Sequence, residues 1–475
     1  MASIVSTVLS SRVIFPLLRN RYKLIVPNVY TVAKNYSIST NNEDKYYDIV
    51  ITGGGMVGTT LACALAGNKI LENKRILLLE GGKKHLYQIQ DKYSNRVVAL
   101  NQQTRTLLSS IGAWRHIEAV RYTPVKKMQV WDACSDAMIT FDEDHLAEEL
   151  AYIVENDLLL DAVGKQLSEK DSVDVVHGAR VEDILLPLEQ SQDSVITLQD
   201  GQRFRTKLLI GADGVNSLVR KKMGIQYVAW NYEQMGIVAT VKLSEPTENV
   251  VAWQRFIPSG PVALLPLTDS LSSLVWSVTT SEAKKLLSLS EEEFIDSLND
   301  ALWKIYPKDG MVEAGMRALG QILEGLSLYN GITRQLQPSI RGIVEGTRAA
   351  FPLGFGHAAS YVKPGVVLIG DAAHRVHPLA GQGVNLGFGD VNVLVQILAD
   401  ATRNGAVIGD VGYLTKYETL RQRHNVPTML AIDALHRLYK GTAAPIVLAR
   451  SLGLQLTNAF PPLKVSIYNK FAKYY

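Results

Sequence analysis

The chain has 475 residues and only two cysteines, Cys63 and Cys134. So few exclude a disulfide framework and a cysteine-rich zinc site. No apolar run reaches the ~18 residues a bilayer-spanning helix needs, which argues against an integral helical membrane protein. Acid is missing from the first 42 residues: Glu43 is the first carboxylate, whereas Arg12, Arg19, Arg21, Lys23 and Lys34 precede it. The formal charge of +3 therefore belongs to that leader, and the rest of the chain is slightly acidic. A nucleic-acid binder needs a cationic body to neutralise phosphates, so no nucleic-acid partner is expected.

What is present is 47% hydrophobic residues, 20% charged residues and 36 glycines. That composition excludes a collagen, a coiled-coil rod and a disordered chain, and the length suits two or three domains. In residues 1–42, Ser3, Ser6, Ser10 and Ser11 alternate with Ile4, Val5, Val8, Leu9 and Val13. An acid-free, Arg-containing, Ser-rich leader predicts a mitochondrial transit peptide, cleaved between Lys34 and Glu43.

Directly after it, the β-rich run Tyr47–Ile51 meets Gly53, Gly55, Met56, Val57 and Gly58, then the helical pattern Leu61, Ala62, Leu65. Strand, G-x-G-x-x-G and helix in this order read as a dinucleotide site. Gly53 allows the tight turn, Gly55 the approach of a pyrophosphate, and Gly58 the packing of helix on sheet. The helix start offers free N–H groups to phosphate. A second strand, Arg75–Leu79, ends in Glu80, whose carboxylate can accept the ribose hydroxyls of an adenosine. Thus far the ligand is NAD or FAD.

Two later motifs narrow it. Strand Lys207–Ile210 runs into Asp213-Gly214, and strand Val366–Ile369 runs into Gly370-Asp371-Ala372. Downstream lie Pro378, Gly381, Gly383, Val384 and Asn385, opening a helix from about Val384 to Ala401. The glycine fingerprint, Asp-Gly and Gly-Asp motifs in this order resemble the class A flavoprotein aromatic monooxygenases, with the p-hydroxybenzoate hydroxylase-like fold. The resemblance covers residues 47–403 and implies an α/β protein: an FAD-binding Rossmann-like domain, an inserted antiparallel-sheet substrate domain and C-terminal helices. It implies that Asp371 and Ala372 bind FAD, and that Arg96 lies near the flavin. It also implies that Pro378, Gly381, Gly383 and Asn385 shape the catalytic face of the flavin, with the helix dipole stabilising charge at its N1–C2=O edge. Asp213-Gly214 is either a contact to FAD and a pyridine nucleotide or a structural turn. His374 and His377 lack a third ligand in sequence and are assigned to structure, with no metal expected.

Domain expectations follow: 1–42 transit peptide, 43–224 FAD-binding domain, 225–345 substrate domain, 346–403 return to the FAD-binding domain, 404–475 helical. Four alternating runs in 238–278 predict antiparallel strands, with Trp253, Phe256, Leu264, Leu265 and Trp276 as candidate pocket residues. Residues 311–335 read as an extra helical, partner-binding segment. Residues 444–456 read as a core-packed helix in preference to a membrane-surface anchor.

Ala252–Leu267, Trp230–Gln234, Ala350–Gly354 and Met128–Ala133 resemble the branch of that family that hydroxylates ubiquinone precursors. This implies an FAD-dependent monooxygenase using O₂. It would add the C5 hydroxyl to a polyprenylated 4-hydroxybenzoate-type phenol through a flavin C4a-hydroperoxide, at the matrix face of the mitochondrial inner membrane. Electrons would come from ferredoxin and its reductase or from NAD(P)H, with Arg220, Lys221 and Lys222 as a docking patch, and other enzymes of the pathway as partners. Rival readings are another aromatic flavin hydroxylase, a flavin-stabilised scaffold subunit, and a flavin dehydrogenase that incorporates no oxygen.

Overall fold

A computed structural model describes residues 44–84, 92–142, 149–187, 189, 192–326 and 335–472. The expected transit segment lies outside these residues. The α/β architecture is built on two large sheets. In the first, Val366–Leu368, Arg203–Gly211, Lys45–Thr52, Ile76–Glu80 and Val173–His177 lie side by side and parallel. These strands are near-continuous apolar runs because helices cover both faces. Register aligns Thr52 with Gly211 and Gly211 with Leu368. The three motifs therefore leave the carboxyl ends of three neighbouring strands, where open α/β sheets bind ligands.

The second sheet has nine strands. Its centre is four antiparallel strands in the spatial order Tyr227–Leu243, Leu271–Thr279, Gly260–Pro266 and Val251–Ile257. The first of these begins well before the predicted Val238. Two strands, Lys127–Asp132 and Met138–Asp142, come from upstream of residue 225, and Lys127–Asp132 pairs in parallel with Val251–Ile257. The short strand His374–Arg375 joins the opposite edge, against Ala349–Ala358. The segment that follows Asp371 is thereby sewn to the second sheet.

The helix predicted after Gly381 spans Gln382–Arg403. The following helix begins at Val411 because Asp410 caps it, accepting the N–H of Gly412 and Tyr413. It runs to Lys440 and is succeeded by Ala444–Ala459 and Pro461–Ala472. The segment after Met311 forms the helix Gly310–Gly325, with residues 327–334 outside the described part. Its neighbour is the chain's own helix Ala444–Ala459: a Cβ on Gly315 would sit 2.5 Å from Leu448 Cδ1. Core packing of Ala444–Ala459 is thus observed, although Ile446, Leu456, Phe460 and Leu463 remain exposed.

Helices Gln382–Arg403 and Val411–Lys440 meet on a buried charge. Asp390 accepts hydrogen bonds from the Gly370 N–H at 2.9 Å, His374 Nε2 at 2.6 Å, Arg421 Nε at 2.7 Å and Asn425 Nδ2 at 3.2 Å. Facing a carboxylate, His374 must carry its proton on Nε2. Burial pushes Asp390 toward its neutral form, but His374 and Arg421 more than offset this and hold the carboxyl well below its usual range. Removing one partner of a buried pair leaves an uncompensated charge and costs about 3–5 kcal/mol. Arg421→Met is accordingly expected to destabilise the protein by about that much, read as a lowered midpoint of chemical unfolding.

Candidate FAD and substrate site

The fingerprint glycines differ in what they do. A Cβ on Gly53, whose φ is +103°, would lie 2.3 Å from the Ala212 carbonyl oxygen, and one on Gly58 would lie 1.9 Å from that of Gly53. Both must be glycine for the turn to close. At Gly55 nothing stands within 4 Å of that position, so the backbone faces open space. Helix Met56–Ala66 begins there with no side-chain cap and no acid in its first turn, which leaves N–H donors for an anion. Glu80 accepts the Gly54 N–H through Oε2 and the Gly82 N–H through Oε1, both at 2.6 Å, and so fixes the loop. Val57 packs on the third motif: a Cβ on Gly387 would lie 2.7 Å from its Cγ2.

Asp213 Oδ2 accepts the N–H groups of Leu218 and Val219 at 2.6 and 3.2 Å, the structural-turn role. Its Oδ1 is buried with no partner among the described residues. Beside it Gly214 takes φ +74°, which favours glycine. Arg220 does not belong to a surface patch. It is buried, donates to the carbonyls of Ala372 at 2.7 Å and Val215 at 2.6 Å, and stacks on Tyr227 at 3.8 Å. Lys222 pairs with Asp183, so the expected docking patch reduces to Lys221. Arg220 instead ties the Asp-Gly motif to the Gly-Asp motif.

Arg96, Asp371, Pro378, Gly381, Gly383, Val384 and Asn385 converge on one cavity of about 1110 Å³. Ala372 lies buried behind it. Protein atoms surround Asp371 on nearly every side, yet its surface opens to the cavity. That burial raises its pKa, opposed by His374 and Arg375. Gly381, at φ +60°, starts helix Gln382–Arg403 with no side-chain cap. Asn385 spends its side chain on protein: Oδ1 accepts from the Asn101 N–H and Thr104 Oγ1, and Nδ2 donates to the carbonyls of Ala99 and Gly381. It positions the loop, leaving only its backbone for a ligand. His374 and His377 are both buried outside the cavity wall; His377 stacks on His436 with ring centroids 4.6 Å apart.

The sheet supplies the opposite wall, and the five expected residues divide between its two faces. Ala252, Gln254, Phe256, Ala263, Leu265, Ser273, Val275 and Ser277 line the cavity. Of the expected residues, Phe256 and Leu265 lie on this face. Leu264 and Trp276 belong to the other face's core, packed beneath helices Thr280–Ser288 and Glu291–Trp303. Trp253 touches the cavity while its indole packs edge-on to Trp131. The largest side chains in each strand go where a core must be filled, and the small ones face the ligand space. Reading the strands for their smaller, more polar face would have found this wall.

FAD fits this arrangement. The open space at Gly55 and the two uncapped helix starts suit the phosphates of an elongated ligand, and the unpartnered Oδ1 of Asp213 can accept a ligand hydroxyl. Gly53–Gly58 and Glu80 can hold an adenosine diphosphate, and Asp371 with Gly381–Asn385 can hold the ribityl chain and flavin ring. Residues 46–311 and 347–429 match the FAD binding domain family. Solved structures share the fold: p-nitrophenol 4-monooxygenase from Pseudomonas putida, with TM-score 0.65 at 17% identity over 90% of this chain and 99% of that one. PqsL of Pseudomonas aeruginosa, described as a probable FAD-dependent monooxygenase, gives TM-score 0.64 at 19% identity over 86% and 100%. The chain thus belongs to the FAD binding domain family, among FAD-dependent monooxygenases.

Closer relatives carry the name ubiquinone biosynthesis monooxygenase COQ6, mitochondrial. The zebrafish (Danio rerio) protein is 51% identical over 436 residues, 90% of each chain, and the human protein 51% over 431 residues, 89% of this chain and 92% of that one. The Caenorhabditis elegans protein is 41% identical over 91% of this chain. Within the wider family, this chain belongs to the ubiquinone biosynthesis monooxygenases.

Gly55→Val places a branched side chain in the open cradle without disturbing a packed neighbour. It is expected to lower FAD affinity at least tenfold, by flavin fluorescence, with the unfolding midpoint of the apoprotein unchanged. Burial lowers four histidine pKa values below the ordinary 6.5: His357, His424 and His436 to about 4, and His377 to about 3. These groups are neutral in the fold and accept protons near pH 6.5 once unfolded. Their stability contribution is therefore intact above pH 6.5 and lost as pH falls toward 4. The Tm should drop through that window, and His436→Phe should flatten the drop.

Proposed function

We propose that this protein hydroxylates C5 of a polyprenyl 4-hydroxybenzoate-type phenol in ubiquinone biosynthesis, in the mitochondrion. The observation that carries the reading is the continuity of the cavity. Asp371, Gly381 and Gly383 line the same cavity as Leu435, Leu438 and Leu454. Its volume of about 1110 Å³ exceeds the usual range of roughly 300–1,000 Å³ for ligand pockets and suits a flavin ring plus a phenol with an apolar tail. Arg450, which lines the cavity together with Arg96 and Arg375, is committed to Asp132 and to the carbonyls of Leu438, Tyr439 and Gly441 and offers no free charge to a substrate carboxylate.

Reduced FAD supplies the electrons that activate O₂; one oxygen atom enters the ring and the other leaves as water. The protein's part is placement. Phe256, Leu265 and Val275 exclude water from the ring's binding space. The uncapped start of helix Gln382–Arg403 offers backbone N–H groups and a positive dipole end that would stabilise negative charge on a flavin bound there. Asn385 and Asp390 hold that start rigid from opposite sides.

The acid-free leader, the names of the relatives and the C-terminal surface support a place at the matrix face of the inner membrane. After Asp433 the chain has no acidic residue; Arg450 and Lys464 are buried on protein partners, which leaves Arg437 and Lys440, with Lys470 and Lys473 further along the sequence. With Ile446, Leu456, Phe460 and Leu463 exposed, that end suits peripheral contact with anionic lipid. Among the described residues no helix is long and apolar enough to cross a membrane. A ferredoxin with its reductase, or NAD(P)H, delivers the electrons, and other enzymes of the pathway are its neighbours.

The test is turnover under ¹⁸O₂ with a short-tailed prenyl hydroxybenzoate, offered each electron donor in turn. One labelled oxygen at C5 is the expected result, and the donor that supports it is identified at once. Flavin that cycles without label entering the product would overturn the reading.

A further inference from the structure

Helix Ala444–Ala459 presents Ala449, Arg450, Gly453, Leu454 and Thr457 to the cavity. The spacing i, i+1, i+4, i+5, i+8 marks a single helical face. The rest of the helix is tied down. Leu448 packs against Gly315 of the neighbouring helix. Arg450 binds Asp132 through Nε at 2.6 Å and Nη2 at 3.1 Å. Ser451 donates to Ser135 at 2.6 Å, and Asn458 Oδ1 accepts the Thr140 N–H at 3.1 Å. All these polar residues are buried. Unmet polar groups in such a place would be costly, so the helix is held at one distance from the sheet. The cavity's far wall is a fixed boundary.

On that wall one position lacks a side chain. A Cβ on Gly453 would meet nothing within 4 Å, so the backbone there borders open space. Nothing in the helix geometry demands glycine, since no left-handed conformation or close neighbour is involved, and glycine is a poor helix former. The open space lies in the same cavity as Leu435 and Leu438 of helix Val411–Lys440 and is continuous with the flavin end at Asp371 and Gly383.

We infer that Gly453 is a specificity-determining residue. Its missing side chain leaves the passage through which the substrate's polyprenyl tail runs, between helices Ala444–Ala459 and Val411–Lys440. The inference rests on the prenylated-phenol reading above. It predicts that filling the position discriminates by tail length and leaves the ring chemistry alone.

The experiment uses the full chain with FAD bound. Gly453→Leu is compared with Ala449→Leu, one turn away on the same face, and with Gly320→Leu. Gly320 also borders open space but lies on helix Gly310–Gly325, outside the cavity wall. Two probes are used, a 4-hydroxybenzoate with one prenyl unit and one with a long polyprenyl tail. Binding is read by perturbation of the flavin spectrum and turnover by product. Gly453→Leu should weaken binding and kcat/KM for the long-tailed probe by about tenfold or more, with the short-tailed probe within about twofold. Ala449→Leu should shift in the same direction, Gly320→Leu should match wild type, and FAD content should be equal in all. Equal losses on both probes, or no loss on either, would overturn the inference. A wild type that binds the long-tailed phenol without hydroxylating it sinks the functional reading alone, because the binding comparison still decides the role of Gly453. A wild type that binds neither probe sinks both.

Discussion

A single buried carboxylate, Asp390, organises the flavin side of this protein. It sits on helix Gln382–Arg403, two turns after the loop that would face the flavin, and no water reaches it. A charge in that position must be neutralised and fully hydrogen-bonded, and its four donors come from two segments, the Gly-Asp loop and helix Val411–Lys440. Gly370 and His374 bracket Asp371 on one side, and Arg421 and Asn425 bring up the long C-terminal helix on the other. The Gly-Asp loop is thus held at both ends by a residue sixteen or more positions downstream. Its geometry follows from satisfying one ion.

From that anchor the remaining parts are placed by contact. Val57 fills the space left by Gly370 and Gly387, which fixes the fingerprint helix against the flavin helix. Arg220 bridges the Asp-Gly and Gly-Asp motifs through two backbone carbonyls. The pairing of His374–Arg375 with Ala349–Ala358 then carries the same loop to the substrate sheet. Cofactor end and substrate end are parts of one hydrogen-bonded continuum, which suits a reaction that requires a ring and an oxidant to be held a few ångströms apart.

The substrate space shows a division of labour between large and small residues. Trp131, Trp276 and Phe294 pack the core on one side of the second sheet, while alanine, serine and single aromatics face the cavity on the other. The C-terminal helices complete the enclosure. Their anchoring contacts are polar and buried, so the wall is rigid without depending on apolar packing alone.

The local order of residues was enough to read the three motifs, the parallel strands that carry them and the helix after Gly381. Each is encoded within a short window by glycine placement and hydrophobic periodicity, and neither depends on distant partners. The leader's character is likewise a matter of composition. Which face of each antiparallel strand looks into the cavity was not legible, because alternation gives two faces and only the packing of Thr280–Ser288 and Glu291–Trp303 tells which is core. Nor were the burial of Arg220, the commitment of Asn385 to Asn101 and Thr104, or the Asp390 cluster. Those depend on residues separated by 31 positions, as with Asp390 and Arg421, or by 284, as with Asn385 and Asn101, that chain folding brings together. The sequence determined what the protein binds at its dinucleotide end, since that site is local backbone chemistry. Tertiary structure decided the shape and length of the substrate space, since every wall of it comes from a different part of the chain.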